Sequence, residues 1–176
     1  MDHPHVAYTL TPFTVGSPAL DDAVRLYVEQ WPEPWEQIHA FITYYAGFPA
    51  FQGRIARLTD GTAIGMGFGV RSLPEDWWHR QVAVQVGATH PALQDAWVLV
   101  ELVVSAAYCG QGIGSALMET LLVAQPCARA LLSTEVENTG ARRLYERHGW
   151  TYLHPGFVFA PGTPAFVVMQ REVATG

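Results

Sequence analysis

Val103-Val104-Ser105-Ala106-Ala107-Tyr108-Cys109-Gly110-Gln111-Gly112-Ile113-Gly114 is the stretch on which the fold turns. Trp97 to Ser105 is almost unbroken apolar sequence, with Glu101 its one acid, and predicts a strand covered on both faces. Beyond the glycines, Ile113, Ala116, Leu117, Leu121 and Ala124 recur at helical spacing until Pro126 ends the run. The glycines therefore occupy a strand-to-helix turn. The first N–H groups of a helix have no internal partner, glycine lets them approach a ligand closely, and the helix dipole adds partial positive charge. A pyrophosphate suits such a turn, although glycines serving turn geometry alone would look the same. A dinucleotide fingerprint would need a third glycine where Ser115 stands, and a P-loop would need a lysine that does not follow.

Working outward, Ala130 to Val136 reads as a second buried strand. Ala141, Leu144, Tyr145 and His148 give one more helical face, stopped by Gly149. Trp150 to Leu153 and Ala165 to Arg171 are closing strands around a Pro/Gly loop. Upstream, Tyr8 to Val15 is a first strand. Ser17 is expected to cap a helix with Pro18 in its first turn, and Leu20, Val24, Tyr27 and Val28 mark its face up to Pro32. A second helix is predicted from Pro34 to Ala46. Phe51 to Leu58 and Ala63 to Arg71 form a hairpin through Asp60-Gly61. Gly65, Gly67 and Gly69 share a face there and invite close approach by backbone or ligand. Leu73 to Ala96 reads as an irregular helical excursion opened by Pro74-Glu75-Asp76. The order is that of a mixed α/β chain with one central sheet.

About 25 residues past the glycines comes Glu137-Asn138-Thr139-Gly140-Ala141-Arg142-Arg143-Leu144-Tyr145-Glu146-Arg147-His148-Gly149-Trp150. Asn138, Ala141, Leu144, Tyr145, Gly149 and Trp150 fit N-x-x-A-x-x-L-Y-x-x-x-G-[FW]. Gly112 and Gly114 fit the end of [QR]-x-x-G-x-[GA]. With both motifs in this order, residues 97–150 resemble the GNAT N-acetyltransferase superfamily. The resemblance implies a GNAT-type single α/β domain over residues 1–176, its central mixed, mostly antiparallel sheet flanked by helices and splayed at the CoA-binding strands. It implies acetyl-CoA as acyl donor and direct attack by a primary amine in a ternary complex, which fits the absence of a nucleophile motif. In that reading the backbone of Leu102, Val103 and Val104 pairs with the pantetheine arm. Gly110, Gln111, Gly112, Ile113, Gly114 and Ser115 hold the pyrophosphate, and Asn138 bonds the arm near the thioester. Tyr145 protonates the departing thiolate, a reasonable task for a phenol of pKa about 10. Asn138 could equally be a helix cap, and Tyr145 a core aromatic.

The amine must lose a proton, and Glu101 is the candidate base, since a partly desolvated carboxylate has a raised pKa. Pairing with an arginine or facing solvent is the plainer role for it. Some relatives place a glutamate on the next strand, where Leu132 and Ser133 stand here, with Glu135 and Glu137 nearby. Cys109 replaces the usual Arg or Gln at the head of the glycine motif. It reads as a small buried thiol more readily than as a nucleophile.

Composition bounds the partners. The chain has 176 residues, net charge −6 and ten basic residues, a poor footprint for nucleic acid. Two cysteines make no disulfide framework. Residues 1–10 lack the pattern of a signal peptide, and no apolar run reaches transmembrane length; no membrane association and a cytoplasmic setting are expected. The seven histidines, His3 and His5 among them, form no ligand set, so no metal is expected. Trp31 with Trp35, Trp77 with Trp78, and the loop His154 to Pro164 fall where the family builds its acceptor pocket, although tryptophans are more often core. An aromatic wall suits an apolar or cationic amine. The acceptor is a small-molecule amine or a peptide, and a homodimer is left open. The competing readings are a non-catalytic acyl-CoA-binding or sensing domain and a protein or peptide N-acetyltransferase.

Overall fold

The computed structural model describes residues 6–174, so His3 and His5 lie outside the described residues. Its elements are β1 (Tyr8–Pro12), α1 (Ala19–Gln30), α2 (Trp35–Ala46), β2 (Gln52–Leu58), β3 (Ala63–Arg71), α3 (Trp77–Val86), β4 (Ala96–Val104), α4 (Ile113–Ala124), β5 (Arg129–Glu135), α5 (Thr139–Arg147), β6 (Thr151–Val158) and β7 (Ala165–Glu172). Seven strands are hydrogen-bonded in the order β1-β2-β3-β4-β5-β7-β6. β1–β2, β2–β3, β5–β7 and β6–β7 are antiparallel. β4 and β5 are parallel, through Ala96↔Arg129, Trp97↔Ala130 and Val98↔Leu131. The mixed, mostly antiparallel sheet is the one the sequence predicts. By packing, the chain divides into two compact units, residues 1–70 with 100–125 and residues 71–99 with 126–176.

In the first unit α1 buries Leu20, Ala23, Val24 and Leu26, and α2 buries Ile38 and Ile42. These pack with Ile55, Met66 and Phe68 of the hairpin strands. Ile113 and Leu117 of α4 join Ala56 and Ile64 in a second cluster. The strand glycines admit that helix. A Cβ on Gly65 would lie 3.2 Å from both Leu117 Cδ1 and the Val103 carbonyl, and one on Gly67 would lie 2.9 Å from Leu121 Cδ1. The close approach expected at these glycines is thus made by α4 and the β4 backbone. The hairpin forms as predicted: Gly61 takes φ +90° and the Asp60 carboxylate accepts the Thr62 N–H at 2.9 Å. Ser17 is not the cap of α1. Pro18 is the capping residue, already in the helical region at φ −57°, ψ −21°, while the Ser17 hydroxyl donates to the Thr14 carbonyl at 2.7 Å.

In the second unit the excursion after Leu73 holds a regular helix. The Asp76 carboxylate caps α3 by accepting the Trp78 N–H at 3.2 Å, and Gly87 ends it at φ +98°. β6 also runs past its expected end to Val158, through Pro155 and Gly156. It is the last strand of the sheet order, so the missing N–H of Pro155 costs no ladder bond. Its register with β7 shifts on both sides of His154. Trp97, Val98, residues 130–132 and residues 167–169 are buried. α5 closes in a Schellman motif: the Trp150 N–H donates to the Tyr145 carbonyl at 3.1 Å, the Gly149 N–H to that of Glu146 at 3.1 Å, and Gly149 takes φ +79°.

Candidate functional site

The first unit carries the glycine turn. β4 ends at Val104, and the chain reaches α4 through Gly110 and Gly112, at φ +78° and +82°. Nothing lies within 4 Å of where a Cβ would stand on either glycine. The conformation therefore demands glycine, and the space above it is open. Gly112 caps α4 in the left-handed region, and no side-chain cap bond is made there. Gln111 keeps its Oε1 buried without a partner. An uncapped helix start beside an orphaned acceptor and two bare glycines fits a phosphate group on a ligand that also carries donors. Cys109 is exposed rather than buried. Its thiol donates weakly to the Val104 and Ser105 carbonyls, at 3.6 and 3.7 Å, because the turn swings it back over the strand end.

β4 also carries Glu101, Leu102, Val103 and Val104 in the same unit. Val103 is buried and the other three are half-buried. The residue surface of Glu101 is part exposed, but its carboxyl is enclosed by protein, and burial pushes its pKa up to about 8. Neither an arginine partner nor a solvent-facing bulge, the plainer roles for it, is found among the described residues. Its charge reaches Tyr27, whose phenol is pushed up to about 12, first by burial, then by the Glu101 and Glu33 carboxylates. Tyr27 packs its ring 5.0 Å from Trp31. The sequence marked Tyr27 only as one apolar position of α1. No local signal links it to a residue 74 positions away.

The second unit carries Asn138 and Tyr145 at the two ends of α5. The Asn138 carbonyl oxygen accepts the Ala141 N–H at 3.1 Å, so it does cap the helix. Its residue is exposed. Tyr145 is 8% exposed, its ring 5.8 Å from that of Trp150. Ser133, where some relatives have a glutamate, instead accepts the Trp78 indole N–H at 3.0 Å; Glu135 and Glu137 are exposed. Of the four tryptophans expected near the acceptor, Trp31 and Trp35 are each 39% exposed, Trp77 is 49% exposed with its ring 5.7 Å from Phe159, and Trp78 is half-buried.

A strand, a left-handed glycine turn and an uncapped helix, followed by an asparagine-capped helix bearing a buried tyrosine, are the elements of an acetyltransferase type of fold. The profile described as the Acetyltransferase (GNAT) family matches residues 20–150, and the chain belongs to that family. It is 32% identical over 128 residues to the GCN5-like protein acetyltransferase Rv2170 of Mycobacterium tuberculosis, across 67% of this chain and 62% of that protein. The chain thus spans less than two thirds of that relative's length. Among solved structures, it superposes on a GNAT-family acetyltransferase from Bacillus cereus with a TM-score of 0.69 at 12% identity, covering 96% of this chain and 99% of the other. A chain of the NatC complex bound to Gag peptide and CoA gives 0.68 at 16% identity, over 96% and 100% of the two chains. At these identities the structural likeness speaks for the fold. No helix of the described residues is long and apolar enough to cross a membrane.

Proposed function

We propose that the chain transfers an acetyl group from acetyl-CoA to a primary amine by direct attack in a ternary complex. The observation that carries the reading is Glu101: an enclosed carboxyl with no ion-pair partner among the described residues and with its pKa near 8. Such a group costs stability and has no structural task, whereas a base for an amine needs a pKa near the working pH. A domain that only sensed acyl-CoA would have no use for it. Acetyl-CoA supplies the thioester. The Gly110–Ser115 backbone would hold its pyrophosphate, the edge of Leu102, Val103 and Val104 would receive the pantetheine arm, and Asn138 would bond the arm beside its capping role. Glu101 takes the ammonium proton, directly or through water, and Tyr145 gives one to the leaving thiolate. Exposed Trp31 and Trp35, on the same unit as Glu101, fit the wall of an amine-binding mouth. Cys109 and Cys127, which form no disulfide, fit a reducing, cytoplasmic setting.

A protein acceptor is the second reading, favoured by the name of the Mycobacterium relative. The test is thiol release from acetyl-CoA against a panel of amines, peptides and folded proteins. All ten basic residues of this chain are arginine, so any acetyl-lysine that forms comes from the added acceptor. kcat/KM should rise with pH to an inflection near 8. Glu101→Gln should remove that inflection and lower kcat by about a hundredfold. CoA binding without thiol release from any acceptor would favour the sensing alternative.

A further inference from the structure

Trp31-Pro32-Glu33-Pro34-Trp35-Glu36 joins α1 to α2 in the unit that carries Glu101. Proline fixes its own φ and pushes the residue before it into extended backbone. Trp31 and Glu33 each precede a proline, and Trp31 is extended at φ −128°, ψ 107°. The Trp31 N–H still donates to the Tyr27 carbonyl at 2.9 Å, which ties the segment to the last turn of α1. So restrained a backbone has little freedom left to lose when it meets a ligand. Trp31 and Trp35 are each 39% exposed, and Glu33 and Glu36 are exposed beside them.

These groups have the chemistry of a cation site. The Trp31 ring lies 5.0 Å from that of Tyr27, and the Tyr27 phenol feels both the exposed Glu33 carboxylate and the enclosed Glu101. Neither Glu33, Glu36 nor Glu101 has an ion-pair partner among the described residues. The arginines of this unit are engaged elsewhere. Arg25 pairs with Asp22 and Glu29 and donates to the Ala63 carbonyl, Arg57 pairs with Asp22, and Arg54 donates to the Gly53 carbonyl. Carboxylates beside indole faces, with no cation of the chain's own, attract one from outside. The reacting amine does not meet that need, since it becomes neutral when Glu101 takes its proton. A carboxylate at Glu33 therefore suits a second cationic group, one that stays charged throughout.

We propose that the acceptor carries a second positive charge, held by Glu33 and the face of Trp31 while its other amine meets Glu101. The inference rests on the reading of Glu101 as base for an acceptor amine. The second charge could belong to a free diamine or to a basic residue beside a lysine in a peptide. Cadaverine and pentylamine differ by one charge, as do a lysine peptide with a neighbouring arginine and the same peptide with glutamine there. Thiol release gives kcat/KM for each, and titration calorimetry on the full chain with saturating CoA reads binding without turnover. In at least one pair the dication should lead by about tenfold, less as salt rises; the pair with the larger lead names the source. Glu33→Gln should cut that lead by about threefold, and Trp31→Leu by about as much. Glu75→Gln, exposed in the other unit, should leave it unchanged. Thiol release with no lead for either dication, or a lead indifferent to both Glu33→Gln and Trp31→Leu, overturns the inference and leaves acetyl transfer standing. Dication binding that Glu33→Gln weakens, with no thiol release from any acceptor, supports the site and overturns acetyl transfer. Neither binding nor release from any of the four overturns both.

Discussion

At the scale of single residues, Glu101 ties stability to the proposed chemistry. Its carboxyl holds a proton up to about pH 8 in the folded chain, against 4.5 for an ordinary glutamate. Between those values the folded state binds the proton that the unfolded state releases. Stability therefore falls as pH rises through this window, and the loss is complete above about 8. Glu101→Gln removes the titrating group and keeps the shape. It should raise the thermal midpoint by about 3–6 °C at pH 8.5 and give little below pH 4.5, as calorimetry at the two pH values would read. A variant that gained stability and lost turnover would show a group retained for function. Tyr145 carries the complementary expectation. Tyr145→Phe should lower kcat by about a hundredfold with CoA affinity unchanged within about twofold. Equal turnover would return Tyr145 to the core, where its ring already packs on Trp150.

At the scale of elements, the glycine turn separates strain from binding. Gly112 sits at φ +82° with open space above it. Alanine there meets no clash but pays for the left-handed backbone, about 1–2 kcal/mol, and its methyl enters the space proposed for the pyrophosphate. Gly61 has φ +90° and equally open surroundings, at the hairpin tip. Gly112→Ala and Gly61→Ala should lose similar stability, while only Gly112→Ala weakens CoA, by about tenfold or more; isothermal titration and melting curves decide. This turn was legible because glycine punctuation and helical spacing act locally. The same holds for α4, α5 and the Asp60-Gly61 hairpin. α3 was blurred because Val82, Val84 and Val86 alternate as a strand would, and Val84 is 76% exposed, which weakens the helical stripe. β6 was cut short because Pro155 and Gly156 look like loop residues, and only its place at the end of the sheet order makes them tolerable. The electrostatic influence of Glu101 on Tyr27 was not legible, since it joins residues that are distant in the chain.

At the scale of the whole molecule, the connectivity of the two compact units bears on whether residues 1–176 act as one domain. Domain boundaries normally fall in exposed linkers that few contacts cross. Here the chain passes from one unit to the other at 70/71, 99/100 and 125/126. The second passage lies in mid-strand in β4, and the first at the last step of β3. A strand cannot melt at one end of such a passage and leave the other end's ladder undisturbed, because consecutive residues share the same extended backbone. We therefore expect one cooperative transition. Urea unfolding followed by far-ultraviolet circular dichroism and by tryptophan fluorescence should give coincident curves, and the calorimetric enthalpy should equal the van't Hoff value. Tryptophan reports from both units, at Trp31 and Trp35 in one and at Trp77, Trp78, Trp97 and Trp150 in the other. A fluorescence curve with two steps, or one displaced from the dichroism curve, would show that the units unfold separately and that the single-domain reading is wrong. CoA should shift the whole curve if the domain is one, and only one of two steps if it is not.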